Sequence, residues 1–429
     1  MKRVLVIAYY FPPMGMGGVQ RVLKFVKYLP DFGWEPTVLT VKDVVYYAKD
    51  ASLLKEAGKC EVVRTGSLDP LRIRRRLSNV KKEYEGKPFE DDRVGLGRWN
   101  RVISTWICVP DTKVLWLPFA VQRGLALLKS GCFDLIFTTS PPHSAHLAGL
   151  VLKRRTGLPW TADFRDDWMG DYVDLLPTSV QRRVNRALAR RVVNGADRVV
   201  AVSQPIKDRM ICHSKKKDDN FTVIPNGYDR ADFGGFRSAR TDRLTITYCG
   251  TVSRILDPGP FLESVAEAIR MNPKLNEKLR VRFVGADCGM NLRKTAGRLG
   301  LDEVVECVGY VSHEESIGWL MNSDMLLLLI PNTFGAGMVT GKVFEYLASG
   351  KPILAVVPPG EAERLVIKHA RGIVVHPENL KAMAAQLLRS VALWERGDLK
   401  LSVPRWQGIS QYDRRTQTER LAELFDSVV

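Results

Sequence analysis

Short apolar runs alternate with stretches of helical periodicity along this chain, and the alternation is played through twice. Val4 to Ala8 is an apolar run that ends in F-P-P-M-G-M-G-G, and V-Q-R-V-L-K-F-V-K-Y-L follows with apolar residues three and four apart. Pro36 to Val41, Asp134 to Thr138, Pro159 to Phe164, Arg198 to Ser203 and Phe221 to Pro225 read as further strands, with helices between them. A second series reads as strands at Leu244 to Cys249, Val281 to Val284, Val304 to Val308, Met325 to Ile330, Ile353 to Val357 and Gly372 to Val374. Pro260 to Arg270 and Leu380 to Ser390 are predicted helices of that series, and a last helix is predicted from Ile409 to Phe425. Continuous apolar strands separated by helices imply parallel sheets covered on both faces, an α/β protein.

A length of 429 residues exceeds one ordinary core and predicts two domains. The polar stretch Gly234 to Asp242 is the expected linker, which gives domains over 1–233 and 243–405 and a closing segment over 406–429. Seven scattered cysteines without a C-x-x-C pair fit a reduced, cytoplasmic protein and argue against disulfides or a zinc site. The longest apolar run, Met325 to Ile330, is far short of a membrane span, and the apolar N-terminus runs into Pro12-Pro13 rather than a cleavage site. Of the net charge of +17, residues 1–240 carry +16, which points to an anionic partner surface.

The stretch T-G-K-V-F-E-Y-L-A-S-G-K-P, from Thr340 to Pro352, carries the most chemistry. Thr340 suits an N-cap, Val343, Phe344 and Leu347 recur at helical spacing, and Gly350 with Pro352 ends the helix. The free N–H groups and dipole of such a helix start attract phosphate, and Lys342 adds a full charge. Glu345 lies one turn on, where a carboxylate can accept hydrogen bonds from paired sugar hydroxyls. An ordinary surface Lys/Glu pair accounts for the same spacing. The loop Gly15 to Gly18, after the first strand, has room for phosphate but lacks a Walker lysine or a complete G-x-G-x-x-G.

The run K-V-F-E-Y-L-A-S-G-K-P-I-L resembles the donor-site helix of the family 4 retaining glycosyltransferases, which have the GT-B fold. V-I-P-N-G-Y-D (Val223 to Asp229), Y-C-G-T-V-S (Tyr248 to Ser253) and V-G-Y-V-S-H-E-E (Val308 to Glu315) extend the resemblance over most of the chain. It implies two Rossmann-like domains facing a cleft, with the C-terminal helix crossing back to the N-terminal domain. It also implies sugar transfer from a nucleotide-diphosphate donor (a UDP-sugar favoured, a GDP-sugar possible) to a lipid-linked or saccharide acceptor, with no cofactor and no metal. Donor-binding residues on this basis are Gly17, Gly18, Thr251, Arg254, Tyr310, Gly337, Lys342 and Glu345. The family's usual Gly-Arg and following Lys are Thr251 and Leu256 here, so Arg254 is the substitute charge. Its usual Glu eight residues before Glu345 is Gly337.

Asp163, Arg165 and Asp166, in W-T-A-D-F-R-D-D-W, and His143, in T-S-P-P-H-S, are the expected catalytic residues on the acceptor side. A buried ion-pair network explains the former equally well, and a helix-start role explains His143. Arg72, Arg74, Arg75 and Arg76, with Trp99 and Trp106 in an amphipathic stretch, are expected to hold an anionic membrane surface. Further basic clusters lie at Arg182 to Arg191 and Lys215 to Lys217. Two rival readings stand beside this one. A sugar-nucleotide epimerase would share the fold, and a nucleic-acid-binding module would share the charge but lacks interleaved aromatics.

Overall fold

The computed structural model describes all residues except 16, 43–48, 59, 69–107, 175, 236–240, 255, 333–338, 371 and 400–405. Gly337 and the expected membrane residues Arg72, Arg74, Arg75, Arg76, Trp99 and Trp106 therefore lie outside the described residues. The chain folds as two units, each an α/β layer structure. One runs from Met1 to Pro225 and is completed by Arg414–Val429, and the other takes Asn226–Asp413.

The first unit is built on β1 (Lys2–Ile7), β2 (Trp34–Val41), β3 (Glu61–Thr65), β4 (Leu135–Thr139), β5 (Trp160–Phe164), β6 (Arg198–Ala201) and β7 (Phe221–Val223). They form one parallel sheet in the order β3-β2-β1-β4-β5-β6-β7. Among the described residues up to Pro225, the helices of nine residues or more are α1 (Gly17–Tyr28), α2 (Leu117–Ser130), α3 (Ser144–Thr156), α4 (Ser179–Gly195) and α5 (Gln204–Cys212). The order reverses between β1 and β4, so the loops leaving those two strands splay apart and open a crevice at their carboxyl ends.

The second unit repeats the plan with β8 (Leu244–Cys249), β9 (Val252–Ser253), β10 (Leu279–Val284), β11 (Asp287–Cys288), β12 (Val305–Gly309), β13 (Met325–Leu329), β14 (Ile353–Val356) and β15 (Ile373–Val375). Its main sheet has the order β12-β10-β8-β13-β14-β15, all parallel, with the reversal between β8 and β13. Its longer helices are α6 (Gly259–Met271), α7 (His313–Met321), α8 (Gly341–Ser349) and α9 (Leu380–Glu395). No helix among the described residues is long and apolar enough to cross a membrane.

The units divide at Pro225/Asn226, ahead of the expected linker at 234–242. Tyr228 and Phe233 decide this, because both are buried in the second unit's core beside Ile317, Phe344 and Ile409. The closing segment divides as well. Ile409 and Tyr412 fall inside the predicted last helix, but they pack with the second unit, and the helix starts only at Arg414 (α10, Arg414–Asp426). Tyr412 is held there by its ring against Phe344 (centroids 4.9 Å) and its carbonyl, which accepts from the Tyr228 N–H at 3.0 Å. Beyond Asp413 the stripe Leu421, Ala422, Phe425 enters the first unit's core. Phe425 meets Trp34 and Phe137 edge to face at 5.2 and 5.4 Å, and Trp34 donates its indole N–H to Asp426 at 3.2 Å.

Two histidines lie inside the first unit. His143 is stacked flat on Trp168, with ring centroids 4.6 Å apart and planes 3° from parallel. His146 shares the Thr138 hydroxyl with the Trp160 indole N–H, at 2.7 and 2.9 Å, and packs on Phe164. Burial, helped by repulsion from His146, holds the His143 imidazole well below its ordinary range, and burial lowers His146 to about 3.

Two consequences follow for stability. Phe425→Ala should destabilise the first unit by about 3–5 kcal/mol, the usual cost of emptying a buried aromatic site. A urea titration monitored in that unit checks it, and a loss well under 1 kcal/mol would mean that α10 is peripheral to the core. The histidines set an acid limit. Their native pKa values lie below the unfolded value of about 6.5, so the unfolded chain binds more protons and stability is lost as pH falls through that value. The loss should be about 1.4 kcal/mol per pH unit for each histidine, in a window above the carboxylate range. Unfolding curves unchanged between about pH 7 and pH 5 would contradict neutral burial.

Candidate functional site

In the second unit the reversal between β8 and β13 brings the loop after β8 beside the start of α8. Three glycines make this possible. Gly250 (φ +144°) donates to the Val284 carbonyl, and Gly285 (φ +138°) donates to the Gly309 carbonyl, each at 2.7 Å. A β-carbon on Gly285 would stand 2.2 Å from the Gly250 carbonyl oxygen, so the ends of β8, β10 and β12 close to a distance only glycine permits. Into that space runs Lys342. A β-carbon on Gly250 would lie 1.8 Å from Lys342 Cε, and the ammonium sits 5.4 Å from the Tyr248 ring centre. No carboxylate among the described residues lies within ion-pair distance of Lys342.

The start of α8 is left open for an anion. Thr340 occupies the N-cap with extended backbone (φ −74°, ψ 149°), as expected, but its side chain caps nothing. Its Oγ1 is buried with no hydrogen-bond partner among the described residues. The first turn holds no acidic residue, and a β-carbon on Gly341 would meet nothing within 4 Å. Such a helix start presents unsatisfied N–H groups and the positive end of the dipole. Glu345 is half-buried one turn further on. Burial, then the Glu345 charge, drives the Cys249 thiol upward, and Lys342 pulls it the other way. Both charged side chains therefore act at the end of β8.

What fixes α8 against the sheet is Tyr346, which local spacing alone does not single out. Its buried hydroxyl accepts the Cys249 N–H at 2.9 Å, tying the helix to the last residue of β8 across 97 positions. A bulky aromatic with a polar tip inside an otherwise apolar helix face was the available signal.

The other expected donor residues sit on neighbouring strand ends. Thr251 is half-buried, and its carbonyl accepts the Tyr248 hydroxyl at 3.0 Å. Arg254 is exposed at the turn after β9. Tyr310 follows Gly309 (φ +93°) at the end of β12, two strands from β8, or roughly 10 Å. The backbone after it is held by a capping box, in which the Ser312 N–H donates to Glu315 at 2.8 Å and the Glu315 N–H donates to the Ser312 hydroxyl at 3.3 Å.

In the first unit, Gly17 and Gly18 open α1. A β-carbon on Gly17 would meet nothing, and the nearest atom to one on Gly18 is Arg165 Nη2 at 4.0 Å. The D-F-R-D-D run divides its labour. Asp163 is sealed from solvent and accepts from Arg21 Nε at 3.0 Å, Arg21 Nη2 at 2.8 Å and the Thr139 hydroxyl at 2.8 Å. Arg21 also donates to the carbonyls of Ile224 and Pro225, at 2.8 and 2.7 Å. This hydrogen-bonded pair therefore fixes the ends of β4, β5 and β7 around α1. A buried charge with every lone pair engaged acts by position.

Arg165 reaches back to donate to the Gly18 carbonyl and leaves its buried Nε without a partner among the described residues. Asp166 is exposed. Asp167 caps the following turn through the N–H groups of Met169 (3.0 Å) and Gly170 (2.9 Å) and pairs with Arg209.

His143 stands at the N-cap of α3 without capping it. That work is done by Asp111, whose half-buried carboxylate accepts the Ser144 N–H at 2.9 Å and the Ser144 hydroxyl at 2.6 Å. Burial raises the Asp111 carboxyl above its usual range, against those hydrogen bonds. Nothing in D-T-K marks this role, because the contact spans 33 residues. Thus Arg165 reaches the glycine loop with the exposed Asp166 next to it in the chain, while Asp163 and His143 are buried.

The same organisation recurs in known proteins. Residues 16–227 match the glycosyl transferase 4-like domain, and residues 243–392 match the glycosyl transferases group 1 domain. A D-inositol 3-phosphate glycosyltransferase of Streptomyces bingchenggensis is 25% identical over 215 residues, 46% of this chain and 46% of that protein. This chain spans about half the length of the curated relatives it matches. Among solved structures, Anabaena Alr3699/HepE in complex with UDP and glucose superposes with a TM-score of 0.66 at 16% identity, covering 100% of both chains. Sucrose-phosphate synthase from Thermosynechococcus elongatus gives a TM-score of 0.66 at 17% identity, over 100% of this chain and 99% of that one. These likenesses establish a common fold. With two parallel-sheet units, each matching a glycosyltransferase domain, the chain belongs to the GT-B glycosyltransferases, a 4-like domain followed by a group 1 domain.

Proposed function

We propose that this protein transfers a sugar, with retention and without a metal, from a nucleotide-diphosphate sugar to a membrane-associated acceptor, lipid-linked or glycan. The observation that carries the reading is Lys342 laid across Gly250 at the uncapped start of α8. Breaking the sugar–phosphate bond leaves negative charge on the diphosphate. A fixed ammonium and oriented N–H groups stabilise that charge more in the transition state than before it. Glu345, one turn deeper, holds the ribose hydroxyls, and the backbone from Tyr310 to Ser312 receives the base. Arg254 supplies a second positive charge from the loop after β9. A UDP-sugar is the favoured donor, in keeping with the UDP held by the Anabaena neighbour.

Arg165 and Asp166 serve the acceptor and leaving-group side, with Gly17 and Gly18 giving room at the start of α1. Asp163 positions them through Arg21, and His143 supports the same loop from behind. Attack on the donor face from which the diphosphate leaves, with the departing phosphate taking the acceptor proton, preserves the anomeric configuration. The basic first half holds the enzyme at the cytoplasmic face of an anionic membrane, where surface polysaccharide or glycolipid is assembled.

Lys342→Ala should lower turnover by about 10²–10³-fold, as removal of an oriented electrostatic donor does elsewhere. Glu345→Ala should weaken donor binding and turnover together, and both variants should melt like the parent. Product formation measured with and without acceptor checks this. Unchanged rates would sink the site, and conversion of the nucleotide sugar in the absence of acceptor would favour an epimerase.

A further inference from the structure

The proposed membrane association gains a location from α4. Its seventeen residues, S-V-Q-R-R-V-N-R-A-L-A-R-R-V-V-N-G, include five arginines and no carboxylate. Gln181, Asn185, Ala189, Val192 and Val193 face inward. The opposite stripe, Val180, Arg183, Val184, Ala187, Arg190 and Arg191, is exposed along roughly 17 Å of helix. Val180 and Val184 stand 48% and 43% exposed on it, with Arg183 between them. A stripe solvated for its own sake would carry polar residues at those two places.

Further positive charge gathers at the C-terminal end of α4. The Lys215 N–H donates to Asn194 Oδ1 at 2.8 Å, which sets the segment Lys215–Lys217 against the last turn. Lys153, Arg154 and Arg155 end the adjacent α3. Burial lowers the Lys216 ammonium, with repulsion from Lys153 and Arg198 adding to it and Asp197 opposing it, so these groups crowd one another. The carboxylates nearby are largely taken. Asp197 pairs with Lys153, Asp174 with Arg186 at 2.7 Å and Asp218 with Lys207 at 2.9 Å, and Asp219 is exposed. Arg154, Arg155, Arg183, Arg190, Arg191 and Lys217 have no ion-pair partner among the described residues.

We infer that the exposed stripe of α4, with the end of α3 and the Lys215–Lys217 segment, is a docking surface for an anionic phospholipid bilayer. The occupant follows from the mixture of groups. Arginines seek headgroup phosphates, and the two valines enter the headgroup–acyl boundary, as in helices that lie in the interface. A surface that binds single-stranded nucleic acid would carry aromatic side chains for stacking, and this stripe has none. The position fits as well. The end of α3, the end of α4 and residues 213–220 lead into the starts of β5, β6 and β7, at the amino edge of the sheet. The glycine loop and Arg165 leave from the carboxyl edge, toward which the start of α4 with Val180 and Val184 lies, so the stripe runs along the flank of the unit from one edge to the other. This inference rests on the proposed peripheral association. It assigns the contact to described residues distinct from Arg72–Arg76, Trp99 and Trp106.

Vesicle flotation tests it. Full-length protein is mixed with phosphatidylcholine vesicles, either pure or with a third of the lipid as phosphatidylglycerol. The parent should bind the anionic vesicles only, and less as salt rises. The triple variant R183E/R190E/R191E should lose roughly tenfold or more of that binding. V180S/V184S should lose less and retain the salt dependence. Charge reversal at exposed Lys381 and Arg389 on α9 should change nothing.

Undiminished binding by the triple variant would overturn the assignment. So would loss only when Arg72, Arg74, Arg75 and Arg76 are reversed, or tighter binding of homopolymeric RNA than of anionic vesicles. A thermal shift with UDP on every variant separates the two readings, because it should persist where vesicle binding is lost. Failure of the parent to respond to UDP would count against the transferase reading alone.

Discussion

The Lys342 stem fills the place that a side chain at position 250 would take, and much of the second unit is arranged around that fact. Gly250 stands where only glycine fits, closed in by Gly285 on one side and by the Lys342 stem on the other. The ammonium is thereby held over the end of β8 beside open helix N–H groups, instead of extending into solvent as a lysine ordinarily does. Holding a flexible four-carbon stem costs conformational entropy. The packing against Tyr248 and the Tyr346 anchor on Cys249 offset that cost before any ligand arrives. A positive site fixed in advance needs little reorganisation when charge develops on a leaving group.

The same helix is reached from its other side by the chain's return path. Tyr412 packs on Phe344, and its carbonyl takes the Tyr228 N–H, so residues just after Pro225 and just before Arg414 are fastened together beside α8. Trp406 stacks on Tyr228 at 5.5 Å, and Arg230 covers Trp406 at 5.0 Å. The segment completing the second unit is thus continuous with the core that seats Lys342 and Glu345. Beyond Asp413 the chain changes allegiance, and Phe425 closes the first unit's core against Trp34 and Phe137.

Local signals were legible in the sequence, and contacts between distant segments were not. The start of α8, its apolar face and its Gly350 end follow from spacing within a dozen residues, and the structure has all three. Most strands were readable because continuous apolar runs between helices have few other outcomes, but β3, E-V-V-R-T, has no such run and was not among them. The linker was misplaced because 234–242 is polar, whereas the units are parted by the burial of Tyr228 and Phe233 against Trp406. Thr340 was read as a side-chain cap, yet its hydroxyl is unused. Asp163 and Asp166 are alike in sequence, and only the fold shows one locked to Arg21 and the other exposed. The interlocked glycines, Tyr346 and Asp111 depend on partners tens of residues away, which periodicity does not encode.

Amide hydrogen exchange with and without UDP tests the central claim most directly, since it reports on the backbone groups said to hold the diphosphate. Protection should concentrate in the peptides covering Gly250 to Ser253 and Gly341 to Tyr346, and should be lost when Lys342 is replaced by alanine. Exchange in both segments that is indifferent to UDP, or protection confined to the glycine loop before α1, would contradict the account.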